Sequence, residues 1–293
     1  MTIIDGKATA ASIKQEIAAE VENIVNNGGR RPHLGIVIAG HDGGSEAYVG
    51  NAVKNCEVCG FDSTVFRNEE NITEEEFMNL IERLNNDPAI DGYIVQMPLP
   101  RHIDSDRVAA SIAIDKDVDG CNPANIGRML IGLPSFKPAT PSAVMELLKR
   151  YNVETRGKHA VVLGRSNIVG KPAAIMLMEK ATPGNCTVTV CHSATKDLKE
   201  KCREADIIVA ALGQPGFVTA DMVKPGAVVM DVGTTRVPDP TRKSGSRLAG
   251  DVAFDEVAEI ASMITPVPGG VGPMTICSLM LNTLEAYRRN TAK

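Results

Sequence analysis

The residues best suited to chemistry fall into two sets. In the second half of the chain, Gly164-Arg165-Ser166-Asn167-Ile168-Val169-Gly170-Lys171-Pro172 follows the apolar run Ala160-Val161-Val162-Leu163. That is a strand–turn–helix junction, where unpaired backbone N–H groups and the helix dipole favour an anionic phosphate. Ser166 stands where the dinucleotide fingerprint has its middle glycine, and the last glycine comes one residue late, so the motif by itself also fits an ordinary tight turn. In the first half, Gln96 closes an apolar run, Asp117 and Asp119 share Lys116-Asp117-Val118-Asp119-Gly120, and Tyr48 is one of only four tyrosines. A carboxylate accepts two parallel hydrogen bonds, which suits a heterocycle offering ring N–H and amino donors. Loop capping is the competing role for either aspartate, and packing for a helical tyrosine.

The cofactor can be narrowed further. An NAD enzyme usually places Asp or Glu after the second strand of such a fold to bond the ribose hydroxyls. Here that strand ends in Cys191-His192-Ser193, with no carboxylate before Asp197, and Arg165 lies within reach of the same corner. The pattern favours NADP; His192 fits a surface imidazole as well as a ligand contact. Cys56-x-x-Cys59 has no second Cys or His pair at metal-ligand spacing, so buried or semi-exposed thiols are expected ahead of zinc or redox chemistry.

These groups need elements to hold them. Apolar residues at helical spacing over residues 8–26 predict a covering helix, stopped by Asn27-Gly28-Gly29. A strand over 34–39, a helix over 45–59 and a short strand over 63–66 follow. Thr73 and Glu76 form a capping box with an Ile72–Phe77 staple, and a strand over 92–96 runs into Met97-Pro98-Leu99-Pro100. This β-α-β-α-β order predicts a parallel sheet. Residues 115–141, rich in Asp, Gly and Pro, read as a connection. A second alternation then begins: helix 141–151, strand 160–163, helix 169–180, strand 187–190, helix 198–205, and strands at 207–211, 227–232 and 263–265. The expectation is an α/β chain of two domains, residues 1–141 with the last helix (275–293) and a doubly wound domain over 142–274, with a cleft between them.

Composition limits the partners. With 43% apolar and 23% charged residues, the 293-residue chain is globular in character, and its formal net charge of -5 gives no general attraction to nucleic acid or an anionic membrane. Seven cysteines without scaffold spacing suit a reducing, cytoplasmic setting. Met1-Thr2-Ile3-Ile4-Asp5-Gly6-Lys7 lacks the pattern of a secretory signal, and no apolar run is long enough to span a bilayer.

Taken in order, Tyr48-Val49, Val95-Gln96-Met97-Pro98-Leu99-Pro100, Lys116-Asp117-Val118-Asp119-Gly120, the Gly164 to Pro172 turn and Pro266-Val267-Pro268-Gly269-Gly270-Val271-Gly272-Pro273-Met274-Thr275 resemble the signatures of the bifunctional methylenetetrahydrofolate dehydrogenase/methenyltetrahydrofolate cyclohydrolase family. The resemblance covers nearly the whole chain. It implies NADP-dependent oxidation of methylenetetrahydrofolate to the methenyl cation, then hydrolysis to formyltetrahydrofolate. It also implies a homodimer. Tyr48 would stack on the folate, Gln96 would support the catalytic group and Asp119 would bond the pterin edge. Gly164, Arg165 and Ser166 would hold cofactor phosphates, with Ser193 nearby and Thr234 on the nicotinamide side. Pro268, Gly269 and Gly270 would border the folate.

One position departs from that pattern. The family motif is Tyr-Val-x-x-Lys, with the lysine acting as general acid/base in the hydrolytic half, and this chain has Ala52 there. A methyl group transfers no proton. Lys54 lies two residues on, about 200° around a helix, so it is expected to point away. The sequence therefore predicts an impaired cyclohydrolase. A folate- and NADP-binding protein without catalysis, or another NADP oxidoreductase, is the alternative.

Overall fold

The computed structural model describes residues 1–242 and 245–292. The chain divides into two compact α/β units, one of Met1–Ala10 with Thr140–Thr275 and the other of Ala11–Ala139 with Ile276–Lys293.

In the second of these units, the strands Asp62–Asn68, His33–Ala39 and Gly92–Val95 lie side by side in that order, all parallel. His33–Ala39 is the central strand and is buried almost throughout, as a parallel strand covered on both faces must be. The Gly43–Cys59 helix starts at Asp42, whose carboxylate accepts from Ser45 N, and stops at left-handed Gly60. The Glu74–Asn86 helix carries the full Thr73/Glu76 capping box, and Ile72 packs on the cluster containing Phe77.

The other unit contains a six-stranded parallel sheet. From edge to edge it runs Thr2–Ile3, Met263–Ile264, Val228–Asp231, Ile207–Ala210, His159–Leu163, Thr187–Cys191. Chain order reverses between His159–Leu163 and Ile207–Ala210, and the crevice beyond the carboxyl ends of two such strands is where open α/β sheets bind ligands. The sheet core is aliphatic, with Val161, Leu163, Ile208, Ala210 and Val229 fully buried.

The structure adds elements that periodicity did not reveal, among them the short helices Ser105–Ser111 and Phe254–Ala258. Thr2–Ile3 pairs with Met263–Ile264 as an edge strand of the six-stranded sheet, a pairing unannounced in sequence because a two-residue strand carries no periodicity to read. The stretch taken as a connection contains the Pro123–Leu130 helix, which Asn122 caps through Ala124 N with Pro123 at its first position. Thr235–Pro238 and Ser246–Ala249 form an antiparallel hairpin that alternation did not reveal. Lys293, at the end of the last expected helix, lies outside the described residues; that helix runs Val271–Thr291.

Candidate active site

The Gly43–Cys59 helix turns Ser45, Val49, Ala52, Asn55, Cys56 and Cys59 into its unit's interior. Tyr48, half-buried, is one turn before Ala52 on the same side of the helix. Ala52 is 0% exposed and Lys54 is exposed, as the 200° separation requires. The position of the absent amine thus faces inward, and the nearest lysine in sequence faces water.

Asp119 arrives from another direction. Residues 116–118 run along the strand Gly92–Val95: Tyr93 N donates to Lys116 O (3.0 Å), and Tyr93 and Asp117 form a parallel bridge. Gly92 makes this approach possible, since a Cβ there would stand 2.1 Å from Val118 Cγ1. Asp117 is fully buried and serves as the loop's clamp, accepting from Cys121 N (3.1 Å), Asn122 N (2.8 Å) and Asn125 Nδ2 (2.8 Å). Burial lifts its pKa to about 6 against those donors. Capping is therefore Asp117's role, and the clamp leaves Asp119 half-buried two residues on.

Asp119 and Tyr48 share one environment. The Tyr48 hydroxyl is raised, first by burial and then by the Asp119 carboxylate and the Cys121 thiol. Burial likewise raises Asp119, opposed by the Cys121 thiol, whose Sγ lies 3.6 Å from Asp119 Oδ2. Gln96 ends the neighbouring strand half-buried, and its Nε2 donates to Met97 O (2.7 Å). Ser45 Oγ, one turn before Tyr48, donates to the same carbonyl (3.3 Å). An aromatic face, an amide and a carboxyl thus gather at one end of the three-stranded sheet. Cys121 joins them, and nothing in its sequence setting singled it out.

The six-stranded sheet presents a different chemistry. Gly164 follows the strand His159–Leu163 with φ 113°, and a Cβ on it would stand 2.3 Å from Ala211 O. Gly170, likewise, would carry its Cβ 2.3 Å from Gly164 O. Only glycine fits either place. Arg165 and Ser166 are exposed on the turn, and Ser166 Oγ accepts from Val169 N (3.2 Å) and Gly170 N (3.3 Å). The serine at the glycine position thus holds the turn against the first residue of the Gly170–Met178 helix, whose N-cap is Val169. Gly164 N donates to Cys191 O (2.9 Å), placing exposed Ser193 beyond the adjacent strand. His192 Nδ1 accepts from Ala194 N (3.2 Å), so the imidazole holds its own turn. Thr234 is exposed beyond the Val228–Asp231 strand.

Two carboxylates missed by sequence reading hold these loop ends. Buried Asp231 accepts from Gly233 N, Asp251 N and Val252 N at 2.9–3.0 Å, and burial lifts its pKa to about 6. Fully buried Asp251 accepts from Leu212 N (2.5 Å), Gly213 N (3.0 Å) and Gln214 N (2.7 Å). Their only sequence signal was a glycine within two residues, Gly233 after Asp231 and Gly250 before Asp251. The Pro268-Gly269-Gly270 loop belongs to this unit and packs on the chain's start: Lys7 N donates to Gly269 O (2.9 Å), and a Cβ on Gly6 would be 1.8 Å from Gly270 O. Pro268 is exposed.

Cys56 and Cys59 are buried thiols, pushed by burial to about 12 and about 11, and Cys56 Sγ donates to Met280 Sδ at 3.9 Å. None of the seven cysteines is in a disulfide. Among the described residues no helix is long and apolar enough to cross a membrane, and no group of three metal-ligating side chains converges.

A doubly wound nucleotide unit, together with a second α/β unit that gathers half-buried polar side chains at one end of its sheet, defines a two-domain, cofactor-dependent α/β enzyme. The chain belongs to the tetrahydrofolate dehydrogenase/cyclohydrolase family: residues 4–119 match its catalytic domain and residues 138–291 its NAD(P)-binding domain. It is 63% identical over 289 residues to the bifunctional protein FolD of Bacteroides thetaiotaomicron, covering 99% of each chain. Among solved structures, it is similar to the bifunctional FolD dehydrogenase/cyclohydrolase of Campylobacter jejuni (44% identity, TM-score 0.92, 99% of each chain). It is also similar to the Trypanosoma brucei N5,N10-methylenetetrahydrofolate dehydrogenase-cyclohydrolase complexed with NADP and an inhibitor (42% identity, TM-score 0.92, 100% of this chain and 99% of that one).

Proposed function

We propose that this chain oxidises 5,10-methylenetetrahydrofolate to the 5,10-methenyl form with NADP, and that its hydrolytic half-reaction is crippled. The observation that carries the first part is the family match across both units, with the turn at residues 164–166 at the switch point of the nucleotide sheet. That turn fits a dinucleotide, because its glycine brings backbone close and its exposed Arg165 and Ser166 offer donors to phosphate. When bound, NADP accepts the hydride.

The chain's own residues supply position and environment. In this proposal Asp119 accepts from the pterin's ring N–H and amino groups, Tyr48 offers an apolar face to the ring, and Gln96 closes the polar side of the pocket. Arg165 and Ser166 hold phosphate, Ser193 the ribose corner and Thr234 the nicotinamide side, while Pro268, Gly269 and Gly270 border the folate. Hydride transfer depends on alignment of two bound molecules and survives without a proton donor. Hydrolysis of the methenyl cation needs a proton relay, and the inward-facing Ala52 provides none.

Two assays test the halves separately. NADPH formation from methylenetetrahydrofolate should be catalysed, and decay of added methenyltetrahydrofolate should stay close to the buffer rate. Tight binding of folate and NADP without NADPH formation would instead support a non-catalytic binding protein, the rival that Ala52 keeps open. The proposal includes a cytoplasmic homodimer, on the strength of the family resemblance. Light scattering on the purified chain tests the dimer.

A further inference from the structure

Three successive N–H groups at residues 212–214 converge on one point at the end of the strand Ile207–Ala210, a backbone arrangement that ordinarily captures an anion. The point is occupied by the chain's own Asp251 carboxylate. We propose that Asp251 is a positioning residue for NADP: as a built-in anion it holds residues 211–214 as a fixed wall of the cofactor crevice and leaves the turn at residues 164–166 to take the phosphates.

The mechanical connection is short. The residue just before the clamped amides is Ala211, whose N donates to Leu163 O (2.9 Å). Its carbonyl is the atom against which Gly164 packs too closely for any Cβ. A shift of residues 211–214 would thus be felt at the first residue of the phosphate turn. Asp251 cannot drift to relieve such a shift. Its N–H donates to Asp231 Oδ1 (2.9 Å), its carbonyl accepts from Val218 N (2.8 Å), and Gly233 packs on its carboxyl so closely that a Cβ there would stand 2.4 Å from Asp251 Cγ. Asparagine would offer one acceptor oxygen, and its amide N–H would face backbone N–H groups, so it could not satisfy the three donors.

The inference rests on placing the cofactor at residues 164–166, and the test separates the two ideas. Equilibrium binding of NADP and of tetrahydrofolate would be measured by calorimetry on the full chain. Asp251→Asn should weaken NADP tenfold or more and leave tetrahydrofolate within twofold. Asp206→Asn is the control: at the opposite end of the same sheet Asp206 accepts from His159 N (3.0 Å) and Lys224 Nζ (2.6 Å), so it should lose thermal stability with NADP affinity unchanged. An Asp251→Asn protein binding NADP within twofold of the original, or an Asp206→Asn protein losing as much NADP affinity, would overturn the role of Asp251. Arg165→Ala tests the placement itself: unchanged NADP affinity there would remove the premise and the inference with it. Hydrogen exchange on the unaltered protein keeps the idea open to refutation if Asp251→Asn does not fold. The Leu212, Gly213 and Gln214 amides should be protected without NADP, and fast exchange at them would refute the clamp.

Discussion

The two units end their parallel strands in the same way and then display opposite things. In the three-stranded unit, buried Asp117 gathers the N–H groups of Cys121 and Asn122; in the six-stranded unit, Asp231 and Asp251 between them gather those of Gly233, Asp251, Val252, Leu212, Gly213 and Gln214. Each loop is held by a carboxylate that accepts from its backbone N–H groups. What those loops present differs: half-buried side chains (Tyr48, Gln96, Asp119) in one unit, and glycine backbone with exposed Arg165, Ser166, Ser193 and Thr234 in the other. Desolvated groups with directional hydrogen bonds suit a heterocycle, and exposed donors with close backbone suit a charged phosphate. The two kinds of site are also vulnerable in different ways. A side-chain site loses function when one group is deleted, even where the fold gains a good helix former such as Ala52. A backbone site is damaged by whatever fills the space its glycines leave.

The strongest way to sharpen that contrast is to put the missing group back. Ala52→Lys should raise methenyltetrahydrofolate hydrolysis by roughly 10²- to 10⁴-fold, the usual contribution of a positioned acid/base, measured as loss of methenyl absorbance. No gain in a folded protein would refute the inward-facing relay position. Next in size, Asp119→Asn should weaken folate by about 1.5–3 kcal/mol, the value of a hydrogen bond to a charged group, and leave NADP binding alone. If both ligands weaken together, the division of labour between the units is wrong.

Gly164→Ala should do the converse. Its positive φ and the crowding against Ala211 O would cost about 1–3 kcal/mol of stability and reduce NADP binding without touching folate affinity. The two kinds of clamp can be compared by pH. Asp117 and Asp231 both titrate near 6 instead of 3.8. A carboxyl raised on folding contributes stability that is complete below its unfolded pKa and lost as pH rises through the folded one. The unfolding free energy should therefore fall between about pH 4 and pH 7, by up to about 3 kcal/mol per group, and Asp231→Asn should flatten that fall in urea titrations. Smallest of all, Lys54→Ala should change hydrolysis by less than twofold, because its side chain faces solvent; a larger loss would mean that Lys54 serves as the relay.

Local signals made much of this molecule legible. The capping box at Thr73 and Glu76, the apolar strand runs and the glycines around residues 164–170 are encoded within a few residues of where they act, so periodicity and turn chemistry identified them. The family motifs named the candidate side chains, and the spacing from Tyr48 to Ala52 and Lys54 fixed which faces they occupy, because a helix's angular step is constant. Tertiary structure alone decided the rest. It assigned Thr2–Ile3 to a partner strand some 260 residues away, brought Asp119 and Cys121 to Tyr48, and set Asp251 under the loop after Ile207–Ala210. The amides that converge on Asp251 come from a segment nearly 40 residues away, which meets it only when the chain has folded.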